Sequence, residues 1–258
     1  MSIISGDIGV FCPSYKRSAV RSSTQKMFPF ATLVVSESEK RKYEISGNRV
    51  IACPDKVQGN ASRVRNWILN ENQRLRGVVI LDDDYKYIGR WQKQRRRTLS
   101  SKEVEEFLEY GFVMAEQFGV YFWGINVVDD KGAYRENMPF CLIRPVLGPF
   151  QSFRSNPIRY DENLPLKEDY DISLQHLMKY RKILRFNAYH YLVLQNEQAG
   201  GCAYYRNIQT EKEQFDLLRK KWGSDVIKID RGESKASIRK AVKGYDINPI
   251  IKPFVCGV

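Results

Sequence analysis

The stretch Gly77-Val-Val-Ile-Leu81, followed by Asp82-Asp83-Asp84, decides the fold. A continuous apolar run this short suits a strand buried on both faces of a parallel sheet, and its abrupt end in three carboxylates places charge where such a strand opens to a ligand. Just upstream, Ala61 to Arg74 carries Val64, Trp67 and Ile68, with Leu75 beyond, at helical spacing behind Gly59-Asn60. Three more short apolar runs precede that helix: Ile8 to Cys12 closed by Pro13-Ser14, Thr32 to Val35, and Val50 to Cys53 closed by Pro54-Asp55. Strands and helices therefore alternate. This predicts an α/β fold with a mostly parallel sheet flanked by helices, and a ligand site beyond the carboxyl ends of the strands.

The second half is less regular. A helix is expected from Ser101, as cap, through Val104 to Phe118, with strands at Val120 to Asn126 and Phe140 to Val146 around a polar loop, Asp129 to Asn137. A helix from about Lys167 to Lys182 and a strand from Leu184 to Leu194 follow. The tail from Arg206 carries a helix, Glu211 to Trp222, a short strand, Val226 to Ile229, and a basic stretch, Ser234 to Lys243. The organisation expected is one domain, residues 1–205, with a basic α/β extension, 206–258, packed on it.

Composition narrows the partners. Forty-two Lys and Arg against 30 Asp and Glu leave a net charge of +12, so an anionic partner is expected. The five cysteines, at 12, 53, 141, 202 and 256, are odd in number and widely spaced, which disfavours a disulfide scaffold and a zinc knuckle. With only His176 and His190 available, a metal would be held mainly by carboxylates, and this favours Mg²⁺ or Mn²⁺. No stretch approaches the roughly 18 apolar residues of a membrane span, and the first residues lack the pattern of a secretion signal. A cytoplasmic location is expected.

Two acidic groups carry the chemistry. Like charges as close as Asp82, Asp83 and Asp84 repel unless a cation compensates them. On an extended chain Asp82 and Asp84 would share one side and one divalent ion while Asp83 points away. Lys167-Glu168-Asp169-Tyr170-Asp171 stands at a helix start, where carboxylates complement the dipole and can also supply a general base.

In this order the pieces resemble the GT-A glycosyltransferases, enzymes that use nucleotide sugars. Ile8 to Arg17 is similar to their first strand and nucleotide loop, Pro13-Ser14-Tyr15-Lys16-Arg17. Gly59 to Asn66, with Arg63, Arg65 and Asn66, is similar to their G-x-x-x-A-R-N helix. Leu81-Asp-Asp-Asp84 resembles their D-x-D and Lys167-Glu168-Asp169 their x-E-D. The resemblance implies a donor site on Pro13, Ser14, Tyr15, Arg17, Arg63, Arg65, Asn66, Asp82 and Asp83. It implies a metal on Asp82 and Asp84, with His190 as a further ligand. Asp169 would be the base, assisted by Glu168, and the donor a nucleotide diphosphate sugar, most simply a UDP-sugar. The compact length, the L-D-D-D-Y and K-E-D-Y-D-I-S-L segments and Gln198-Ala-Gly-Gly201 resemble the TET-associated glycosyltransferases of phages and bacteria, which are linked to sugar transfer onto hydroxymethylated DNA bases such as 5-hydroxymethylcytosine. That resemblance implies modified DNA as acceptor and a bacterial or phage-infected cell.

The charge pattern points the same way independently. Between Asp84 and Glu103 lie seven cations, Lys86, Arg90, Lys93, Arg95, Arg96, Arg97 and Lys102, without an acid, interleaved with Tyr85, Tyr87 and Trp91. Cations of this kind neutralise phosphates and rings can stack on bases, so Arg90, Trp91, Lys93, Arg95, Arg96 and Arg97 are candidates for nucleic-acid contact. Three other readings stay open at this point: a glycosyltransferase acting on a glycan or protein, a nucleotidyltransferase, and a binding module without catalysis.

Overall fold

The computed structural model describes residues 3–4, 7–93, 95–127, 134–194, 206–229 and 248–252. In chain order its elements are β1 (Ile3–Ile4), β2 (Ile8–Pro13), α1 (Ser23–Met27), β3 (Thr32–Ser36), α2 (Lys40–Ile45), β4 (Val50–Cys53), α3 (Ala61–Glu71), β5 (Gly77–Leu81), β6 (Tyr85–Gln92), β7 (Arg95–Thr98) and α4 (Ser101–Gln117). They continue with β8 (Phe122–Asn126), β9 (Phe140–Cys141), β10 (Phe150–Phe153), α5 (Glu168–Tyr180), β11 (Leu184–Val193), α6 (Ile208–Trp222), β12 (Ile227–Ile229) and β13 (Pro249–Ile251).

The fold is mixed α/β, built on one large sheet of order β4-β3-β2-β5-β10-β8-β11-β6-β7, with β1 added to β2 and β9 to β11. Strands β4, β3, β2 and β5 run parallel, as the alternating first 85 residues require. Strand β10 then enters antiparallel between β5 and β8, β11 lies parallel to β8, and the β6–β7 hairpin closes the far edge. One face packs on α4 through Val104, Phe107, Leu108, Phe112 and Ala115, and the other on α3 and α5 through Val64, Ile68, Ile172 and Leu177. Helix α4 lies close to the sheet because two glycines admit it. A Cβ at Gly77 would meet the Phe112 ring at 2.3 Å, and one at Gly111 would meet Trp123 at 2.2 Å.

Several boundaries differ from expectation. Helix α4 is capped by Ser100, which accepts from Glu103 N while the Glu103 side chain accepts from Ser100 N, so the capping box begins one residue before Ser101. The strand expected over 140–146 is only Phe140–Cys141, whose pairing with β11 ends at Cys141. Helix α5 stops at Tyr180, where Arg181 turns left-handed at φ 63°. The basic segment after Asp84 is a hairpin; its Tyr85, Ile88 and Trp91 are buried while Lys86, Arg90 and all of β7 are exposed.

Helix α6 docks on α5 through Leu164, Leu174, Phe215, Leu218 and Ile227. Its fully buried Glu211 accepts from Lys167 Nζ at 2.5 Å and from Arg206, while Trp222 Nε1 and Lys221 Nζ reach Asp171 Oδ1 at 2.8 and 2.9 Å. Lys167 is the N-cap residue of α5, so this contact braces the end of the helix that carries Glu168 and Asp169. The Gln198–Gly201 segment and the basic stretch Ser234–Lys243 lie outside the described residues. No helix among the described residues is long and apolar enough to cross a membrane.

Candidate active site

A cleft of about 340 Å³ opens at the carboxyl ends of β2 and β5, within the size range of small-molecule sites. It brings together Pro13, Ser14, Tyr15 and Arg17 from the loop after β2, Arg65 from α3, Asp82, Asp83 and Asp84 after β5, and Glu168 and Asp169 at the start of α5.

The acidic turn is held by its backbone. Asp82 N donates to Pro149 O at 3.2 Å, Thr24 Oγ1 donates to Asp82 O at 2.8 Å, Ser22 Oγ to Asp83 O at 2.6 Å, and Leu194 N to Asp84 O at 2.9 Å. These contacts end the extended chain at Leu81, so the alternation expected for the three side chains does not apply. All three carboxylates line the cleft, and Asp83 is turned toward the first loop, where Ser14 Oγ donates to it and Arg17 pairs with it. Asp83 thus ties that loop to the acidic turn. Asp82, 41% exposed, and buried Asp84 remain toward the open cleft.

Of the two arginines in α3, Arg65 is the one in the cleft. Asn60 caps α3 by accepting from Arg63 N at 3.2 Å, and the helix then turns Val64 and Ile68 to the sheet and Arg65 to the acids. Arg65 Nη1 donates to Glu168 Oε1 at 2.5 Å and Nη2 to Asp82 Oδ1 at 3.2 Å, so one guanidinium bridges the two acidic groups. Arg63 instead reaches Gln58 O at 3.5 Å and does not line the cleft. Asn66 is also directed elsewhere: its amide exchanges hydrogen bonds of 2.9 and 2.8 Å with the Tyr160 backbone and anchors the segment leading to α5.

His190 is not part of this cleft. It is buried in β11 opposite Gly89, its ring 5.6 Å from Trp91 and 6.2 Å from Tyr87, centroid to centroid. A Cβ at Gly89 would meet His190 Nε2 at 2.6 Å, so the glycine makes room for the ring. The histidine expected as a further metal ligand is thus not brought to the acidic turn: the register of β11 on β6 places it in an aromatic cluster. Trp91, 9% exposed, belongs to the same cluster and anchors the hairpin rather than presenting a ring to a base. The cations around it are displayed: Arg90 lies over Tyr189 at 5.2 Å, Arg96 over Tyr87 at 5.3 Å, Arg97 pairs with Glu103, and Lys93 and Arg95 stand exposed at the hairpin end.

Asp84 Oδ1 is buried with no hydrogen-bond partner among the described residues, a lack that a proton, an ordered water or a cation would meet. No group of three or more His, Cys, Asp or Glu arranged for a metal occurs among the described residues. A divalent ion here would rest on Asp82 and Asp84 and draw its remaining oxygens from water and phosphate, as Mg²⁺ and Mn²⁺ do.

Burial, with Asp82 and Asp83 adding to it, pushes the Asp84 carboxyl up to about 7. Burial pushes Glu168 up to about 7 as well, against Arg65 and with Asp169. Both then hold protons that the unfolded chain has released above about pH 4.5, so metal-free stability falls as pH rises toward 7. His176 works in the opposite sense: burial lowers it to about 4, so it adds stability as pH rises until about 6.5, where the unfolded histidine is neutral too. Two carboxylates outweigh one histidine. In chelator the melting temperature is expected to decline from pH 5 to about pH 7 and to level off above it, and Mn²⁺ to stabilise more at pH 8 than at pH 5.5. A melting temperature that rises over this range would contradict the assignment.

Sequence reasoning missed part of the lining: Gln58, Asn60, Gly148, Pro149, Pro165, Leu166, Arg206 and Asn248. The Gly148-Pro149 dipeptide is a turn signal and Asn60 a helix-cap signal, but neither signal says what the turn or cap faces.

Parallel strands opening onto an acidic cleft bridged by a buried arginine give the molecule the layout of a GT-A-like transferase. The family model of the TET-associated glycosyltransferases matches residues 9–201, most of the chain, and the chain belongs to that family. It is a glycosyltransferase. No curated protein matches it.

Proposed function

We propose that this glycosyltransferase moves a sugar from a nucleotide diphosphate donor, most simply a UDP-sugar, to the hydroxyl of a modified DNA base such as 5-hydroxymethylcytosine. The observation that carries the reading is the convergence, in one cleft, of the Pro13–Arg17 loop, the Asp82–Asp84 turn and the Glu168-Asp169 helix start.

The loop after β2 receives the nucleoside, and Arg17 and Arg65 keep the surrounding carboxylates from repelling the donor. Asp82 and Asp84 are the residues that would hold a Mn²⁺ or Mg²⁺ ion, whose positive charge would stabilise a departing diphosphate. Asp169 Oδ2 accepts from Gly148 N at 2.8 Å, which fixes the carboxylate at the cleft wall. From there Asp169 takes the acceptor proton as the hydroxyl oxygen attacks the anomeric carbon and the bond to the diphosphate breaks, a single displacement with inversion. Glu168, tied to Arg65, holds the cleft wall beside it.

The family and the hairpin both support DNA as the acceptor. Strand β7 exposes Arg95, Arg96 and Arg97 at the edge of the sheet, on the chain that leaves the acidic turn. Neutralising all three is expected to weaken DNA binding about equally across sequences. It should reduce the log–log salt slope by up to about three, roughly 0.9 per lost phosphate contact. UDP binding should persist. An unchanged slope with normal activity on DNA would point instead to a glycan or protein acceptor, and release of pyrophosphate rather than a nucleoside diphosphate would point to nucleotidyl transfer.

A further inference from the structure

The segment between β9 and β10 connects the two acidic groups. Gly148 N donates to Asp169 Oδ2 at 2.8 Å, and two residues earlier Ser173 Oγ donates to Val146 O at 2.6 Å, so the segment is fastened twice to the helix that carries Asp169. On its other side Pro149 O accepts from Asp82 N at 3.2 Å and from Tyr85 Oη at 3.1 Å, which fastens it to the acidic turn. The distance between the Asp82–Asp84 turn and Asp169 is therefore set through residues 146–149.

Tyr191 of β11 lies against this turn. Gly148 has φ +74°, a conformation that L side chains rarely adopt, and a Cβ there would sit 2.1 Å from Tyr191 Oη and 3.2 Å from its Cζ. The hydroxyl thus occupies the space a side chain at 148 would need. The Tyr191 ring is itself held 5.8 Å from Tyr85, so the two tyrosines back Gly148 and Pro149 together. Burial and the charges of Asp169 and Asp82 keep the Tyr191 phenol well above its ordinary pKa, so it stays neutral throughout the working range.

We propose that Tyr191 is a positioning residue, which through its fit against Gly148 sets the place of the Asp169 carboxylate relative to the Asp82–Asp84 turn. The inference rests on the reading of Asp169 as the base. It assigns a role to a pair of residues, one on β11 and one in the turn before β10, neither of which bears a reacting group.

The test is a double-mutant cycle on the full chain. Turnover is read as nucleoside diphosphate release on hydroxymethylated DNA, with whichever of a panel of UDP-sugars the wild type consumes, and donor-site integrity as binding of UDP with Mn²⁺. Gly148→Ala is expected to lower kcat about 10- to 100-fold, and Tyr191→Phe about 3- to 10-fold with an unchanged alkaline limb of the pH profile. UDP binding should move less than threefold in each. In the double variant the clash with the hydroxyl is gone while the strain of a positive φ at an alanine remains, so kcat should recover part of the Gly148→Ala loss and exceed what the two single losses multiplied together predict.

Losses that simply multiply, or normal kcat in Gly148→Ala, would overturn the proposal. So would complete loss in Tyr191→Phe, which would make the phenol itself a proton carrier. If Gly148→Ala does not yield folded protein, Ser173→Ala and Tyr191→Phe read the same coupling, and unchanged kcat in both overturns it. Asp169→Asn is measured alongside: activity there defeats the reading of the base, whereas an inactive Asp169→Asn with uncoupled Gly148 and Tyr191 defeats only the positioning role.

Discussion

Asp84→Asn is expected to abolish sugar transfer, with a loss on the order of a thousandfold or more, while leaving the protein folded. Charge stabilisation by a metal contributes several kcal/mol to a transition state that expels a diphosphate, and each ~1.4 kcal/mol is tenfold in rate. Asp84 is the cleft carboxylate with a buried oxygen that has no hydrogen-bond partner among the described residues, so its replacement would cost a cation site without breaking a hydrogen bond at that atom. It also removes one of three clustered carboxylates, so the melting temperature in chelator should hold or rise. Calorimetric titration with Mn²⁺ and UDP should show that the metal no longer strengthens nucleotide binding. Full turnover of the wild type in excess chelator would contradict the assignment.

The second large effect is at Asp169. Asp169→Asn should lower turnover by about two to four orders of magnitude, the usual range for a lost general base, while UDP still binds. The amide keeps the shape of the carboxylate and can still accept from Gly148 N, so the geometry of the cleft wall is largely preserved. A variant that turns over normally but melts earlier would make Asp169 a helix-end charge and nothing more.

How the site could be read from sequence depended on whether the signal was local. The acidic turn and the Glu168-Asp169 helix start were legible because each combines charge with the end of a regular element, and the parallel strands β2 to β5 were legible as short apolar runs. Which arginine meets the acids was not. Arg63 and Arg65 lie two residues apart on one helix, and only the seating of Val64 and Ile68 on the sheet turns Arg65 inward. The fate of His190 was hidden for a similar reason, since its surroundings come from register: pairing with Gly89 places it among Tyr87 and Trp91.

Strand β10 carried too little pattern to find. Phe150-Gln-Ser-Phe153 has two polar residues at its centre, yet all four are buried, and Gln151 is held by Tyr160 Oη at 2.6 Å. Without that strand the Gly148-Pro149 turn had no place in the fold, and its contact with Asp169 spans 21 residues of chain. The hairpin was masked by its charge, because arginines dilute the alternation of Tyr85, Tyr87, Gly89 and Trp91.

The central claim is tested most directly by incubating the protein with Mn²⁺, a panel of nucleotide sugars and either unmodified or 5-hydroxymethylcytosine-containing DNA, then digesting the DNA and weighing its nucleosides. The expected result is a nucleoside heavier by one glycosyl residue, only with hydroxymethylated DNA and only without chelator, with one nucleoside diphosphate released per sugar transferred. Nucleosides of unchanged mass across the whole panel, while the same protein transfers sugar to a glycan or protein, would contradict it.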